Sequence, residues 1–370
     1  MPFANVTVDW YLSTFIFYTS LILFLYIVSK GFAGQYVKVA HKRINISLFL
    51  ITALLIFVKG FGTTGRDLRS GYYYNFMSAN SLESVYDQSL EFGYKLLNVI
   101  IRNVTDNYFV LIFIISTLTI IPVVKLLRKY KDEIDVPLTI LLYLSIFFFT
   151  SFSPLRNYLA ASISLFAFDA MKENKMKKAL IWIVVSVLLH SSLIIIFIPF
   201  VLYFMKMFNK KLIAFVLGIF FILIIVGKNS ILGFFLEAER YSKYSDVENT
   251  GFGLEQIVYF APFFFLIYRM RRYANKNIER LSLAYVGTSF TFGMLSYVIT
   301  VFGRAQADFL PIIFIAGYYL RLIKTKKPKY RAIVTLLTLL YCGLRFWLYI
   351  SQYYNLEDLM PYTNVFGWEI

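Results

Sequence analysis

Long apolar stretches separated by short polar clusters recur along the whole chain. Twelve segments carry the pattern: 11–29, 44–61, 108–127, 136–152, 155–171, 179–189, 192–205, 212–227, 257–271, 281–302, 306–323 and 331–350. They lack the period-two alternation of barrel strands, so they predict helices that satisfy their own backbones in lipid. The expected fold is an all-α polytopic integral membrane protein, with residues 1–370 forming one transmembrane domain. Two longer loops, 62–107 and 228–256, and a tail at 351–370 complete the layout. In the first loop, SLEFGYKLLNVIIRNV spaces its apolar residues for an amphipathic helix lying on the membrane. The opening MPFANVTVDW has neither a basic lead-in nor a cleavage site, so the first span reads as an anchor.

The polar clusters set the orientation. Most of the 37 basic residues fall in six short segments, 30–43, 125–131, 172–178, 206–211, 269–280 and 321–331. Short Lys/Arg-rich loops stay on the cytoplasmic side. The acids concentrate in the alternate loops, so the two faces carry opposite character. Both termini are then expected outside. The net charge of +16 therefore reads as a membrane-orientation signal and not as a nucleic-acid patch.

One stretch resists a simple count. Lys178 and Lys206 both lie in basic clusters, yet only 27 residues separate them. A single crossing would invert every later basic loop, and two full crossings need about 40 residues. The expected resolution is a short hairpin with its tip at His190-Ser191-Ser192, buried in protein or lining a watery cavity.

Composition agrees with this picture. Hydrophobic residues make up 59% of the chain and charged ones 16%, against about 45–50% and about 25% in soluble domains. The single cysteine, Cys342, excludes an intramolecular disulfide.

Candidate chemistry lies on the outer side. Arg156 (SFSPLRNYLAAS) and Arg304 (VTVFGRAQADF) sit at span ends; Arg66 and Arg69 flank Asp67; Arg240 lies in EAERYSKYSD. Each arginine alone could be a snorkelling anchor, but several converging would make a pyrophosphate-sized anion site. Asp67, Glu91 and His190 are the outward groups able to orient or deprotonate a hydroxyl, with Asp67 favoured as base and His190 as a diphosphate contact or acceptor aid. Tyr72 and Tyr73 serve equally as an interfacial aromatic belt or a sugar-stacking platform, and Tyr241 and Tyr244 are further glycan-contact candidates. The sequence has no His/Cys cluster, P-loop or G-x-S-x-G, so no metal or cofactor is expected.

The stretches GRDLRSGYYYNF, LEFGYKLLN, SPLRNYLAASISLFAFDAMKENK, VLLHSSLIII, ERYSKYSD, FGRAQADFLPII and LMPYTNVF follow one another in a familiar order. Over about residues 60–366 the chain resembles the EpsG-type branch of the Wzy-like polysaccharide polymerases. It departs in carrying Arg66 where members often have Gly or Thr, and Asn157 where they often have Gln.

The resemblance implies a GT-C-like glycosyltransferase in the bacterial inner membrane, working at the periplasmic face. It would polymerise undecaprenyl-diphosphate-linked repeat units into O-antigen or exopolysaccharide without a metal. Arg156 and Arg304 would hold the diphosphate, with Arg240 and Arg66 in support. Implied partners are the lipid-linked donor and acceptor, membrane lipids, a chain-length regulator and a flippase. A flippase for lipid-linked sugars is the alternative reading, but it should show internal repeats and charges along the full pore. A membrane O-acyltransferase would need a partner acid near His190 within the membrane.

Overall fold

The computed structural model describes residues 9–31, 35–39, 42–69, 71–86, 88–204, 254–296 and 308–370. The expected span 212–227, most of the loop 228–256, and Arg240, Tyr241, Tyr244 and Arg304 lie outside them. The described chain is helical apart from one hairpin. It runs α1 (Leu12–Gly31), β1 (Tyr36–Val39), β2 (Lys42–Asn45), α2 (Ile46–Gly60), α3 (Arg66–Arg69), α4 (Gly71–Met77), α5 (Phe92–Arg102), α6 (Tyr108–Lys129), α7 (Val136–Tyr143), α8 (Leu155–Lys172), α9 (Met176–Leu189) and α10 (Phe197–Phe204). After the gap come α11 (Leu254–Met270), α12 (Lys276–Leu295), α13 (Ile312–Lys326) and α14 (Arg331–Tyr353). β1 and β2 pair antiparallel inside the first basic segment, which the hydrophobic pattern alone left as a loop.

Helix starts follow local chemistry. The side chains of Asn45, Asn107 and Asp135 accept from the backbone N–H of Leu48, Phe109 and Leu138, capping α2, α6 and α7. Three helices, Leu12–Gly31, Tyr108–Lys129 and Pro328–Tyr353, are long and apolar enough to cross a membrane; Ile46–Gly60, Val136–Ser151 and Ser191–Phe204 are shorter apolar helices. This is an integral membrane protein.

α8 is the central element, packed against α6 and α9. Its Ala160, Ala161, Ser162, Ser164, Ala167 and Ala170 are all buried, and small side chains let neighbouring helices approach closely. The segment expected as one span at 136–152 is one helix over Val136–Ser151, but its winding changes along its length. α7 gives way to a π-helical turn (Leu144–Phe148) and then a 3-10 turn (Phe149–Ser151) before Pro154. That loosening sits next to the residues that precede Arg156, a common place for π-bulges.

The short segment between the two basic clusters does reverse. α9 stops at His190, whose φ of −156° and ψ of 121° are extended, and a 3-10 turn (Ser191–Ile196) leads into α10. The Tyr203 hydroxyl then lies 2.7 Å from Asn174 Oδ1, just ahead of α9. A continuous helix would hold these residues about 43 Å apart at about 1.5 Å per residue, so the chain folds back on itself at His190.

The basic segments gather at the end opposite the bend. Lys129 pairs with Asp169 at 2.6 Å and Glu173 at 2.5 Å, Lys172 with Glu133 at 2.7 Å, and Lys324 with Asp135 at 2.7 Å. Lys131 donates to the Tyr36 hydroxyl at 2.7 Å. At the other end the tail is woven into the bundle. Tyr18 donates to the Leu359 carbonyl at 2.8 Å, Tyr362 donates to the Val58 carbonyl at 2.9 Å, and Thr63 meets Thr363 at 2.7 Å.

Asp135 and Lys324 are both largely withdrawn from solvent, and removing one partner of such a pair leaves an uncompensated charge. Lys324→Met is expected to destabilise the protein by on the order of 3 kcal/mol. A detergent thermal-unfolding curve that matches the parent would show that the pair contributes little.

Candidate functional site

At the bend, three elements meet around one carboxylate. Glu91 is the N-cap residue of α5, and its side chain turns away from that helix. Its Oε2 lies 2.8 Å from Arg156 Nη1. Its Oε1 accepts from the Ser191 backbone N–H at 3.1 Å and from the Ser191 hydroxyl at 2.8 Å. His190 Nδ1 stands 3.2 Å from the same oxygen. The Glu91 side chain is only 10% exposed. Thus the surface helix α5, the central helix α8 and the bend after α9 are fastened together by a single acid.

The local sequence explains why LEFGY can do this. Gly93 lies so close to the end of α9 that a Cβ there would sit 2.7 Å from the Leu188 carbonyl oxygen. Any side chain would push α5 off the bend. Tyr94 then passes beneath the arginine, its ring centre 5.7 Å from the Arg156 guanidinium carbon, within cation–π range. Tyr72 closes the far side. It is buried, its ring is 5.9 Å from that of Tyr94, and its hydroxyl faces the Arg156 backbone N–H at 3.4 Å. In this state Tyr72 walls the arginine instead of offering an open face, whereas Tyr73 is half-buried and Tyr74 exposed.

Electrostatics follow from the contacts. Burial alone would push the Glu91 carboxyl up. The His190 contact, the Arg156 charge and the Ser191 donors outweigh it and hold the group well below the usual carboxylate range. Glu91 therefore stays ionised, which suits an orienting group better than a proton acceptor. Arg156 keeps spare capacity. Its Nε and Nη1 are enclosed without a well-directed hydrogen bond among the described residues, the 2.8 Å approach to Glu91 being an ion pair by distance alone. A guanidinium so held can still grip an anion bidentately.

Asp67 stands close by on α3, where its backbone N–H meets the Ser153 hydroxyl at 3.4 Å and its charge acts on the Tyr72 phenol. Gly65, with φ of +123°, lets α3 start there; a Cβ would strike the Phe152 carbonyl at 2.5 Å. Arg66 turns the other way, its Nη1 directed at the Leu356 carbonyl of the tail at 3.4 Å. So Glu91, Arg156 and His190 are brought together, Asp67 borders them through Tyr72, and Arg66 faces the tail.

Reading the residues singly missed two participants. Ser191 was seen only as part of the bend, yet it supplies two of the contacts to Glu91. Lys59, 2% exposed, donates to the Ser151 carbonyl and, at 2.7 Å, to the Ser151 hydroxyl, tying α2 to the turn before Arg156. Its signal was available: a lone lysine in an apolar segment, far from every basic cluster.

Against known proteins, the model of the EpsG family matches residues 44–364. No curated protein and no solved structure matches the chain.

Because the folded-state carboxyl of Glu91 is depressed, its contribution to stability is present above the unfolded value of about 4.3 and is lost as pH falls below it. Thermal stability is expected to drop between about pH 5 and pH 3, and Glu91→Gln should start lower and change less across that window. Parallel curves for the two proteins would place the acid-sensitive group elsewhere.

Proposed function

Given that the chain belongs to the EpsG family, we propose that it is a membrane glycosyltransferase that extends a lipid-linked polysaccharide. The observation that carries this reading is one carboxylate, Glu91, touching both an anion-binding arginine and a histidine at once. In the proposed reaction the donor is a glycan on undecaprenyl diphosphate and the acceptor is a hydroxyl of a second lipid-linked repeat unit. The acceptor oxygen attacks the anomeric carbon, and the bond between that carbon and the diphosphate oxygen breaks. The departing diphosphate takes up the bonding electrons, and the arginines neutralise it.

Roles follow from the contacts. Glu91 faces His190 Nδ1 and fixes the tautomer with the proton there, leaving Nε2 as the acceptor for the hydroxyl proton. This moves the base from Asp67, favoured on sequence, to His190, with Asp67 bordering the acceptor side. Arg156 holds the donor diphosphate through its spare donors, with Arg66 in support from the tail side; Arg304 and Arg240, outside the described residues, are the further arginines proposed for the diphosphate. The bend at His190 belongs on the periplasmic face of the inner membrane, opposite the basic end, in the product line of O-antigen or exopolysaccharide. Catalysis proceeds without a metal, guanidinium groups supplying the charge. Tyr73 and Tyr74, together with Tyr241 and Tyr244, are the aromatic surfaces offered to sugar.

Arg156→Lys keeps the charge but not the planar fork, and is expected to lower polymerisation by about 100-fold, as losing a transition-state donor does. His190→Gln should do the same. In cells both variants should accumulate single-repeat lipid product on the outer side at normal protein level; full-length polymer from either would remove that residue from the mechanism. Repeat units retained on the inner side would point to a flippase instead. Purified protein should polymerise in the presence of a chelator, and activity restored only by added metal would overturn the guanidinium mechanism.

A further inference from the structure

One acid in the described bundle is used by nothing above. Asp308 precedes α13, is 0% exposed, and has no hydrogen-bond partner on either carboxylate oxygen among the described residues. Among the described residues no cation acts on it, and the side chain that does is Ser192, whose own hydroxyl is enclosed and likewise lacks a well-formed hydrogen bond. Two enclosed polar groups side by side, each short of a bond, are expensive to maintain. A fold keeps such groups where they serve a function.

Their position says what that function is. Ser192 is the last residue of the His190-Ser191-Ser192 bend, so its hydroxyl sits two residues from the imidazole and one from the Glu91 contacts. Asp308 also acts on Tyr158, two residues beyond Arg156 on α8. It therefore borders both elements that carry the site while touching none of the groups assigned to the reaction. Among the described residues, the charged and titratable groups facing His190 are Glu91 and Arg156, the latter through Glu91, and the one facing Asp308 is Tyr158.

We infer that Asp308 is a positioning residue: it takes the Ser192 hydroxyl as its hydrogen-bond donor when the bend closes on substrate, and so sets the imidazole at the acceptor hydroxyl. This rests on the reading of His190 as base. The bond is one a carboxylate accepts and a serine donates, and it removes both unmet groups in a single small movement.

The test combines kinetics with a probe that does not depend on polymerisation. Asp308→Asn and Ser192→Ala should each lower kcat by about tenfold, with KM within about twofold, and the double variant should be no worse than the worse single one. Ser192→Ala, a small deletion, keeps the test informative if Asp308→Asn fails to accumulate. Separately, Ser191→Cys should react several-fold faster with a polar thiol reagent when Asp308→Asn is added, Cys342 being buried. Additive losses in kcat, or an unchanged labelling rate, would overturn the link. A changed labelling rate in a protein that polymerises nothing would keep the link and overturn the proposed reaction instead.

Discussion

A carboxylate withdrawn from water is tolerable only if nearby charge and donors replace its lost solvent, and Glu91 finds the Arg156 charge, the Ser191 donors and the His190 imidazole on two separate elements. Arg156 comes from the central helix α8, and His190 and Ser191 from the bend between α9 and α10. The acid itself comes from the N-terminal end of α5, which rests on α9 and α6. Remove the charge and each of these loses a contact: the guanidinium its carboxylate, the imidazole its neighbouring oxygen, and α5 its tie to α8 and the bend. The close approach at Gly93 and the tyrosine beneath the arginine shape the space, but the acid holds it together.

The surrounding architecture serves to keep that acid's partners in place. α8 is lined with alanine and serine, so its neighbours pack tightly and the helix cannot rotate its arginine away. The turn before Arg156 departs from α-helical winding and is pinned from the side by Lys59. The tail threads back over α2 and α3, bonding to Gly65 and Arg66 through the carbonyls of Asp358 and Glu357. A site made of loops and helix ends is thereby given the rigidity that positioning needs. At the far end, lysines and acids pair in a separate network, so the two ends differ in chemistry as well as in geometry.

Much of this was legible in the sequence. The apolar segments at 11–29, 44–61, 108–127, 155–171 and 331–350 reappear as helices, because lipid leaves the backbone no other way to satisfy itself. The fold-back at His190 followed from counting: 27 residues between two basic clusters are too few for two crossings and of the wrong parity for one. The amphipathic pattern in the first loop became α5. Less legible was the segment 136–152, where apolar residues continue without pause while the winding changes twice. Hydrophobicity is blind to that change, since most of these residues are buried and the rest only partly exposed.

The site shows the same division. Sequence alone determined that Arg156 opens a helix and that His190 marks a bend, since these depend on local composition and on the spacing of charges. It could not determine who meets whom. Asp67 looked the better base because it stands among arginines, yet Glu91, about 100 residues from Ser191 in sequence, is the acid that reaches the histidine. Contacts of that range are fixed by how helices pack, through small residues at their interfaces and glycines at their closest approaches. Only the tertiary structure could turn three separated candidates into one charge-coupled group.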